Sequence, residues 1–144
     1  MKFNEDSRVK IPAILHCMRL GFEYISLKNQ NSNINENTNI FSKIFLSTIQ
    51  KINPGITTNE AKQALDEISL ALENEDLGRA FYKKLINKSG VRLIDFENFD
   101  QNTFHVVTEL TYKNGEDEFR PDITLLINGM PLIFIEVKKP KFLK

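Results

Sequence analysis

The spacing of apolar residues along the chain changes near residue 90. Before that point, apolar positions recur every three or four residues, as they do on one face of a helix. After it, short runs rich in β-branched and aromatic residues alternate with turn-forming stretches. This pattern predicts a mixed α+β domain, with a helical part over about 5–90 followed by an antiparallel β-meander over about 91–138.

Four helices and one short strand are expected in the first part. The first helix has Ser7 as a candidate N-cap, Pro12 as a residue that kinks or delays its start, and Gly21 as its stop. The third begins with a capping box formed by Thr57 and Glu60. The other predictions are a strand in "FEYISL", a loop in "KNQNSNINENTN", a second helix in "IFSKIFLSTIQKI" and a fourth in "LGRAFYKKLINKSG", closed by Gly90.

The second part is expected to form β-strands joined by turns. The runs concerned are "VRLIDF", "TFHVVTELTY", "RPDITLLI" and "LIFIEVK". The last two are separated by "NGMP", which has the composition of a hairpin loop. We therefore expect them to form an antiparallel hairpin.

This hairpin carries charges at positions where apolar residues would be expected. Glu136 and Lys138 alternate with apolar residues, so they share one face of the strand at roughly 7 Å from each other. A three-residue loop at 128–130 would place Asp122 opposite Glu136. A two-residue loop at Asn-Gly would shift the register and separate the acids onto opposite faces. The sequence leaves both registers open.

In the first register, two carboxylates and an ammonium group converge at one end of the hairpin. Close carboxylates repel each other unless a cation intervenes, and oxygen ligands with open water positions suit Mg²⁺. Glu136 or the metal would orient a water molecule, and Lys138 would activate it or stabilise the charge on a phosphate. This arrangement could hydrolyse a phosphodiester bond. A surface salt bridge between Glu136 and Lys138 would explain the same spacing equally well.

Composition argues against several other kinds of protein. The 144 residues suffice for a single domain, and the formal net charge of zero argues against a wholly basic nucleic-acid clamp, although the last eight residues hold four lysines. Cys17 falls on an apolar stripe and, with His16 and His105, gives too few ligands for a structural zinc site. His105 is expected to be a sheet histidine. A single cysteine and the lack of a long apolar run indicate a cytoplasmic protein.

The stretch "RPDITLLINGMPLIFIEVKKP" resembles the PD-(D/E)xK nuclease signature, with Asp122, Glu136 and Lys138 as its acidic and basic members. More narrowly, the chain is similar to the N-terminal nuclease domain of the R subunit of type I restriction-modification enzymes. The stretches "SRVKIPAILHCMRLGFEYISL", "FYKKLINKSGVRLIDFEN" and "NTFHVVTEL" share this similarity, so the resemblance covers nearly the whole chain.

The resemblance implies a restriction-endonuclease-like core in which a helix precedes a three-stranded antiparallel sheet and a further helix and strand. It implies Mg²⁺-dependent cleavage of double-stranded DNA, with Asp122 and Glu136 as metal ligands and Lys138 as the catalytic lysine. ATP would act only through a motor domain that this chain lacks. The implied partners are the methylation and specificity subunits of the restriction complex.

The chain also departs from the family pattern. It stops at Lys144, before the family's next helix and last core strand, so it is expected to be a fragment or a truncated product. The family often has a glutamate in the first helix as a further metal ligand. Here that region contains Arg8, Val9 and Lys10, which leaves Glu5 as the candidate, although an acid there would equally favour the helix dipole.

Three basic residues flank the motif and are candidate DNA contacts. Lys139 and Lys141 could reach a backbone phosphate or could simply be solvated. Arg120 could contact DNA phosphate or pair with Glu118. The alternative to a nuclease is a non-catalytic module that keeps the fold and serves subunit assembly or DNA docking.

Overall fold

A four-stranded sheet with helices on both faces organises the computed structural model, which describes residues 9–30 and 33–138. The helices are α1 (Ile11–Arg19), α2 (Ser42–Ile52), α3 (Thr58–Leu72) and α4 (Arg79–Leu85). The strands are β1 (Glu23–Ile25), β2 (Phe104–Thr108), β3 (Tyr112–Asn114), β4 (Asp117–Phe119), β5 (Ile123–Ile127) and β6 (Met130–Ile135). The predicted mixed α+β class is confirmed.

The main sheet has the strand order β1, β2, β5, β6. Strands β2, β5 and β6 pair antiparallel, as the predicted meander requires. Strand β1 joins this sheet parallel to β2, so the sheet is mixed and has one strand more than the expected three. Strands β3 and β4 form a separate small hairpin inserted between β2 and β5.

The two faces of the sheet bury different helices because side chains alternate along each strand. On one face, Val106, Ile123 and Leu125 pack with Cys17 of α1. On the other face, Val107 and Leu126 pack with Phe41 at the start of α2, beside the partly buried Ile44. Helix α2 also packs against α3, and α3 packs against α4, and the second apolar cluster at these contacts includes Phe45, Ile49 and Ile68. No helix in the described ranges is long and apolar enough to span a bilayer.

The helical predictions are largely confirmed. Helix α1 begins at Ile11 with Pro12 in its first turn, and Gly21 follows its end with a φ of +106°. The capping box of Thr57 and Glu60 is present at the start of α3. Ser7 lies outside the described residues. Helix α4 ends at Leu85, so the prediction that Gly90 closes it is wrong.

The predicted strand "VRLIDF" is also wrong, because residues 91–96 form a loop. Side-chain amides take the place of a neighbouring strand and satisfy its backbone. Asn53 donates to the carbonyl of Arg92 at 2.8 Å and accepts from its N–H at 2.8 Å. Asn128 donates to the carbonyl of Leu93 at 2.8 Å. This segment has the composition of a strand, but side chains rather than a neighbouring strand form these hydrogen bonds with its backbone.

The hairpin between β5 and β6 has a two-residue turn, and its register changes once along its length. Asn128 and Gly129 both have positive φ, at 53° and 78°, as a type I′ turn requires. Next to the turn, Leu126 pairs with Pro131, whereas Leu125 pairs with Ile133, so Leu132 is an extra residue that forms a β-bulge. Beyond the bulge the register is the one that a three-residue loop would have given.

The turn is pressed against the first turn of α2. The N–H of Phe41 donates to the carbonyl of Gly129 at 2.9 Å. A Cβ added at Gly129 would lie 2.7 Å from the carbonyl oxygen of Phe41 and 2.9 Å from the nitrogen of Phe45. The fully buried Asn128 is held by Thr103, whose N–H donates to its Oδ1 at 2.8 Å. Position 129 therefore requires glycine for its φ and for space.

The small hairpin of β3 and β4 leans on the outer part of β6. The ring centroids of Tyr112 and Phe134 lie 4.9 Å apart in an edge-to-face arrangement. Phe119 contacts Phe134 in the same way, with centroids 6.0 Å apart. These contacts connect the inserted hairpin to the strand that leads toward Glu136.

Replacing Gly129 should test the close approach of the turn to α2. Gly129→Ala should lower the free energy of unfolding by about 2–4 kcal/mol, because it combines an unfavourable φ with a backbone clash. Gly115→Ala is a matched control, since Gly115 also lies in a hairpin turn with positive φ (+65°) but has open space around its Cβ position. The control should cost about 1 kcal/mol. Equal losses in urea denaturation would contradict the proposed close approach.

Candidate active site

Asp122 lies immediately before β5, at the end of the hairpin away from the turn. The last paired residues of the two strands are Ile123 and Ile135, so Asp122 and Glu136 are the next residues beyond the paired part of the hairpin. Asp122 Oδ2 accepts a hydrogen bond from the N–H of Val137 at 3.0 Å. A carboxylate that accepts from a backbone N–H makes a charge-assisted bond, which fixes the side chain across the strand pair.

The residues that follow β6 continue the alternation of the strand. Val137 is buried, with 6% exposure, in the apolar cluster that includes Cys17 and Ile123. Glu136 and Lys138 are exposed on either side of it. The predicted alternation is confirmed, and burial of Val137 sets the directions in which its two charged neighbours can point.

The pKa of Asp122 depends on the charged and polar groups around it. The hydrogen bond from the Val137 N–H lowers the pKa of Asp122 below its usual range, and burial opposes this effect. A side-chain hydrogen bond with Glu136 and the positive charges of Lys10 and Lys138 lower the pKa further. The structure therefore brings Asp122, Glu136 and Lys138 together, as the first of the two registers predicted.

Lys10 and Glu109 lie beside this group, and the sequence did not indicate their role. Lys10 Nζ donates to Glu109 Oε1 at 3.0 Å. This hydrogen bond lowers the pKa of Glu109, and the charge of Asp122 opposes the shift. Glu109 lies within a run that was expected to be one continuous strand, but its φ of +59° ends β2. The signal available in the sequence for a role of Glu109 was an acidic residue within a segment predicted to be a strand.

The remaining candidate residues are placed differently. Arg120 is exposed, and its charge lowers the pKa of Glu109. Glu118 forms its ion pair with Lys113, at 3.8 Å, rather than with Arg120. Glu5, Lys139 and Lys141 lie outside the described residues, so their predicted roles stay predictions.

Cys17 and His105 have structural surroundings, as expected. Cys17 is buried, and burial raises the pKa of its thiol, which disfavours the reactive thiolate. His105 lies on β2, where burial lowers its pKa and the charge of Glu23, with Oε2 3.9 Å from Nε2, opposes the shift. His16 is exposed on α1, away from the buried side of Cys17. None of the three joins the group around Asp122.

The donor set at the site consists of carboxylate oxygens. Within residues 9–30 and 33–138, no cluster of three or more histidine, cysteine or acidic side chains could hold a metal ion. Asp122 and Glu136 are the two carboxylates of the candidate site, and the ammonium group beside them is that of Lys138. Such a pair can bind a hard divalent cation that keeps several water ligands, which is the usual mode of Mg²⁺.

Comparisons with known proteins point to one family. The family model described as "Type I restriction enzyme R protein N terminus" matches residues 2–144. A protein of Methanocaldococcus jannaschii named "Putative type I restriction enzyme MjaIXP endonuclease subunit" is 33% identical over an alignment of 164 residues, which covers 97% of this chain and 16% of that protein. The HindI endonuclease subunit of Haemophilus influenzae is 28% identical over 121 residues, covering 70% of this chain and 11% of that protein. The chain thus spans a small part of these relatives.

The bond between Asp122 and Val137 should be visible in stability. Asp122→Ala removes the acceptor of a partly buried N–H and should lower the free energy of unfolding by about 1–3 kcal/mol. Asp122→Asn keeps an acceptor oxygen and should lose less. Asp117→Ala, in the exposed strand β4, is the control and should change stability by at most about 0.5 kcal/mol. Urea denaturation at pH 7 measures all three.

The same bond fixes the direction of the pH dependence. The pKa of Asp122 is lowered in the folded state. Its contribution to the free energy of unfolding is therefore fully present above the pKa of an unfolded aspartate, and it is lost as the pH falls through the lowered pKa of the folded protein. The difference between the parent and Asp122→Ala should therefore shrink below about pH 4. A difference that stays constant from pH 7 to pH 3 would contradict this assignment.

Proposed function

Since the chain belongs to the family of type I restriction enzyme R protein N termini, we propose that it is the nuclease domain of such an enzyme. Its substrate would be double-stranded DNA, and its reaction would be metal-dependent hydrolysis of phosphodiester bonds. The observation that carries this proposal is the convergence of Asp122, Glu136 and Lys138 at one end of the β5–β6 hairpin.

The carboxylate pair suits a divalent cation on physical grounds. Two neighbouring carboxylates repel each other when both are ionised, and a bound cation removes that repulsion. The two donors proposed here, Asp122 and Glu136, are carboxylates, and hard oxygen ligands favour Mg²⁺ or Mn²⁺ over zinc. When bound, the metal would supply Lewis-acid stabilisation of charge on the phosphate. Glu5 stays a predicted additional ligand.

Each protein residue would have a distinct part in the reaction. Asp122 is held by the Val137 N–H, so it would present its free lone pairs to the cation in a fixed direction. Glu136 would bind the same cation and orient the attacking water. Lys138 would place its ammonium group near the phosphate and stabilise the negative charge that develops there. Arg120, Lys139 and Lys141 would contact the DNA backbone.

The wider assignment follows from the same family membership. The matched relatives are named as endonuclease subunits of type I restriction enzymes. We propose that the chain acts in the cytoplasm with methylation and specificity subunits on foreign, unmodified DNA. ATP would act through a motor domain outside this chain.

Metal binding tests the carboxylate pair directly. Isothermal titration calorimetry should detect weak binding of Mn²⁺ or Mg²⁺, because two carboxylates leave most coordination positions to water. Asp122→Asn and Glu136→Gln should each weaken binding by at least about tenfold, since each removes one charge at contact distance. Asp117→Asn removes an equal charge from exposed β4 and should leave binding unchanged. Equal heats for all variants would reject the metal site.

Cleavage tests the role of Lys138. In the assembled restriction complex, Lys138→Ala should slow plasmid linearisation by about 10²–10³ while ATP hydrolysis continues, because the substitution removes only one well-placed charge. Lys83→Ala, an exposed lysine of α4, is the matched control and should cleave at the parental rate. If Lys138→Ala also linearises DNA at the parental rate, the hairpin is not the nuclease site and the docking-module alternative replaces it.

A further inference from the structure

Lys10 is a buried cation beside the candidate active site, just before α1 begins. Its side chain is only 10% exposed, and its Nζ lies 3.0 Å from Glu109 Oε1, which belongs to a side chain with 57% exposure. Burying an ammonium group costs several kcal/mol unless charged or polar partners compensate. An apolar side chain could attach α1 to the sheet without that cost. The buried charge therefore calls for an electrostatic explanation.

The backbone brings this ion pair to Asp122. Glu109 directly follows β2, and its N–H donates to the carbonyl of Asp122 at 3.3 Å. Its φ of +59° is uncommon for a residue other than glycine. The pKa of Asp122 responds to the charge of Lys10, and that of Glu109 responds to the charge of Asp122. The ion pair and the candidate site therefore share one local electric field.

We propose that Lys10 and Glu109 are positioning residues that set the charge of the Asp122–Glu136 site and thereby its affinity for a divalent cation. This inference rests on the proposed function, because it assumes that the two carboxylates hold the cation. Lys10 repels a cation at the site and Glu109 attracts it, so their charges act on the cation in opposite directions. Removal of Lys10 takes a positive charge away from the neighbourhood of the two carboxylates, and removal of Glu109 takes a negative charge away.

The two removals should therefore change metal affinity in opposite directions. Lys10→Met keeps the length of the side chain and should lower the Kd for Mn²⁺ by about threefold to tenfold. Glu109→Gln keeps the shape of the carboxylate and should raise this Kd by a similar factor. Lys10→Arg preserves the charge and should stay within about twofold of the parent. Lys84→Met, which breaks the α3–α4 ion pair with Glu67 (3.6 Å), is the control and should have no effect.

The measurement is calorimetric titration of the 144-residue chain with Mn²⁺ at pH 7, beside circular dichroism melts of each variant. A purely structural ion pair would reduce stability in both variants and give unchanged Kd values or shifts of the same sign, which would overturn the inference alone. A parent that binds no Mn²⁺ would overturn the proposed metal site and the inference with it. If Lys10→Met does not fold, a rise in Kd for Glu109→Gln supports the inference, and no rise rejects it.

Discussion

The backbone contact between Gly129 and the first turn of α2 is the constraint on which the site geometry depends. A side chain cannot fit at position 129, and Asn128 and Gly129 both have the positive φ of a two-residue Asn-Gly turn. A two-residue loop alone would place Asp122 and Glu136 on opposite faces. The bulge at Leu132 shifts the register by one residue and brings them face to face. Turn, bulge and carboxylate pair thus form one geometric unit.

The site also shows how folding and chemistry use the same atoms. Asp122 contributes to stability through the Val137 N–H, and this bond favours the ionised form that a metal would need. Val137 contributes through its buried side chain, which anchors the segment between two exposed charged residues. Two carboxylates at close range are nevertheless unfavourable in the absence of a cation. The surrounding positive charges of Lys10 and Lys138 reduce that repulsion.

The sequence predicted those parts of the structure that depend on local signals. The capping box of Thr57, the stop at Gly21 and the charged hairpin were readable because each involves residues that are close in sequence. The bulge at Leu132 was not, since it is set by packing rather than by composition.

The loop at 91–96 and the ion pair of Lys10 with Glu109 were missed for a related reason. Both depend on partners far away in sequence: Asn53 and Asn128 satisfy the loop, and 99 positions separate Lys10 from Glu109. Parallel pairing of β1 with β2 likewise joins segments that are about eighty residues apart. The sequence could therefore predict the candidate carboxylate pair with Lys138 as one of two registers, but not the ion pair of Lys10 with Glu109 beside it.

The small hairpin of β3 and β4 has a consequence for how such domains can diverge. It enters the chain just before Asp122 and contacts β6 through the rings of Tyr112, Phe119 and Phe134, while its tip at Gly115 is exposed. Aromatic packing holds the base of this hairpin against β6. Residues inserted or deleted at the exposed tip would therefore leave these ring contacts in place, so the tip is a point where contacts with a partner could be added.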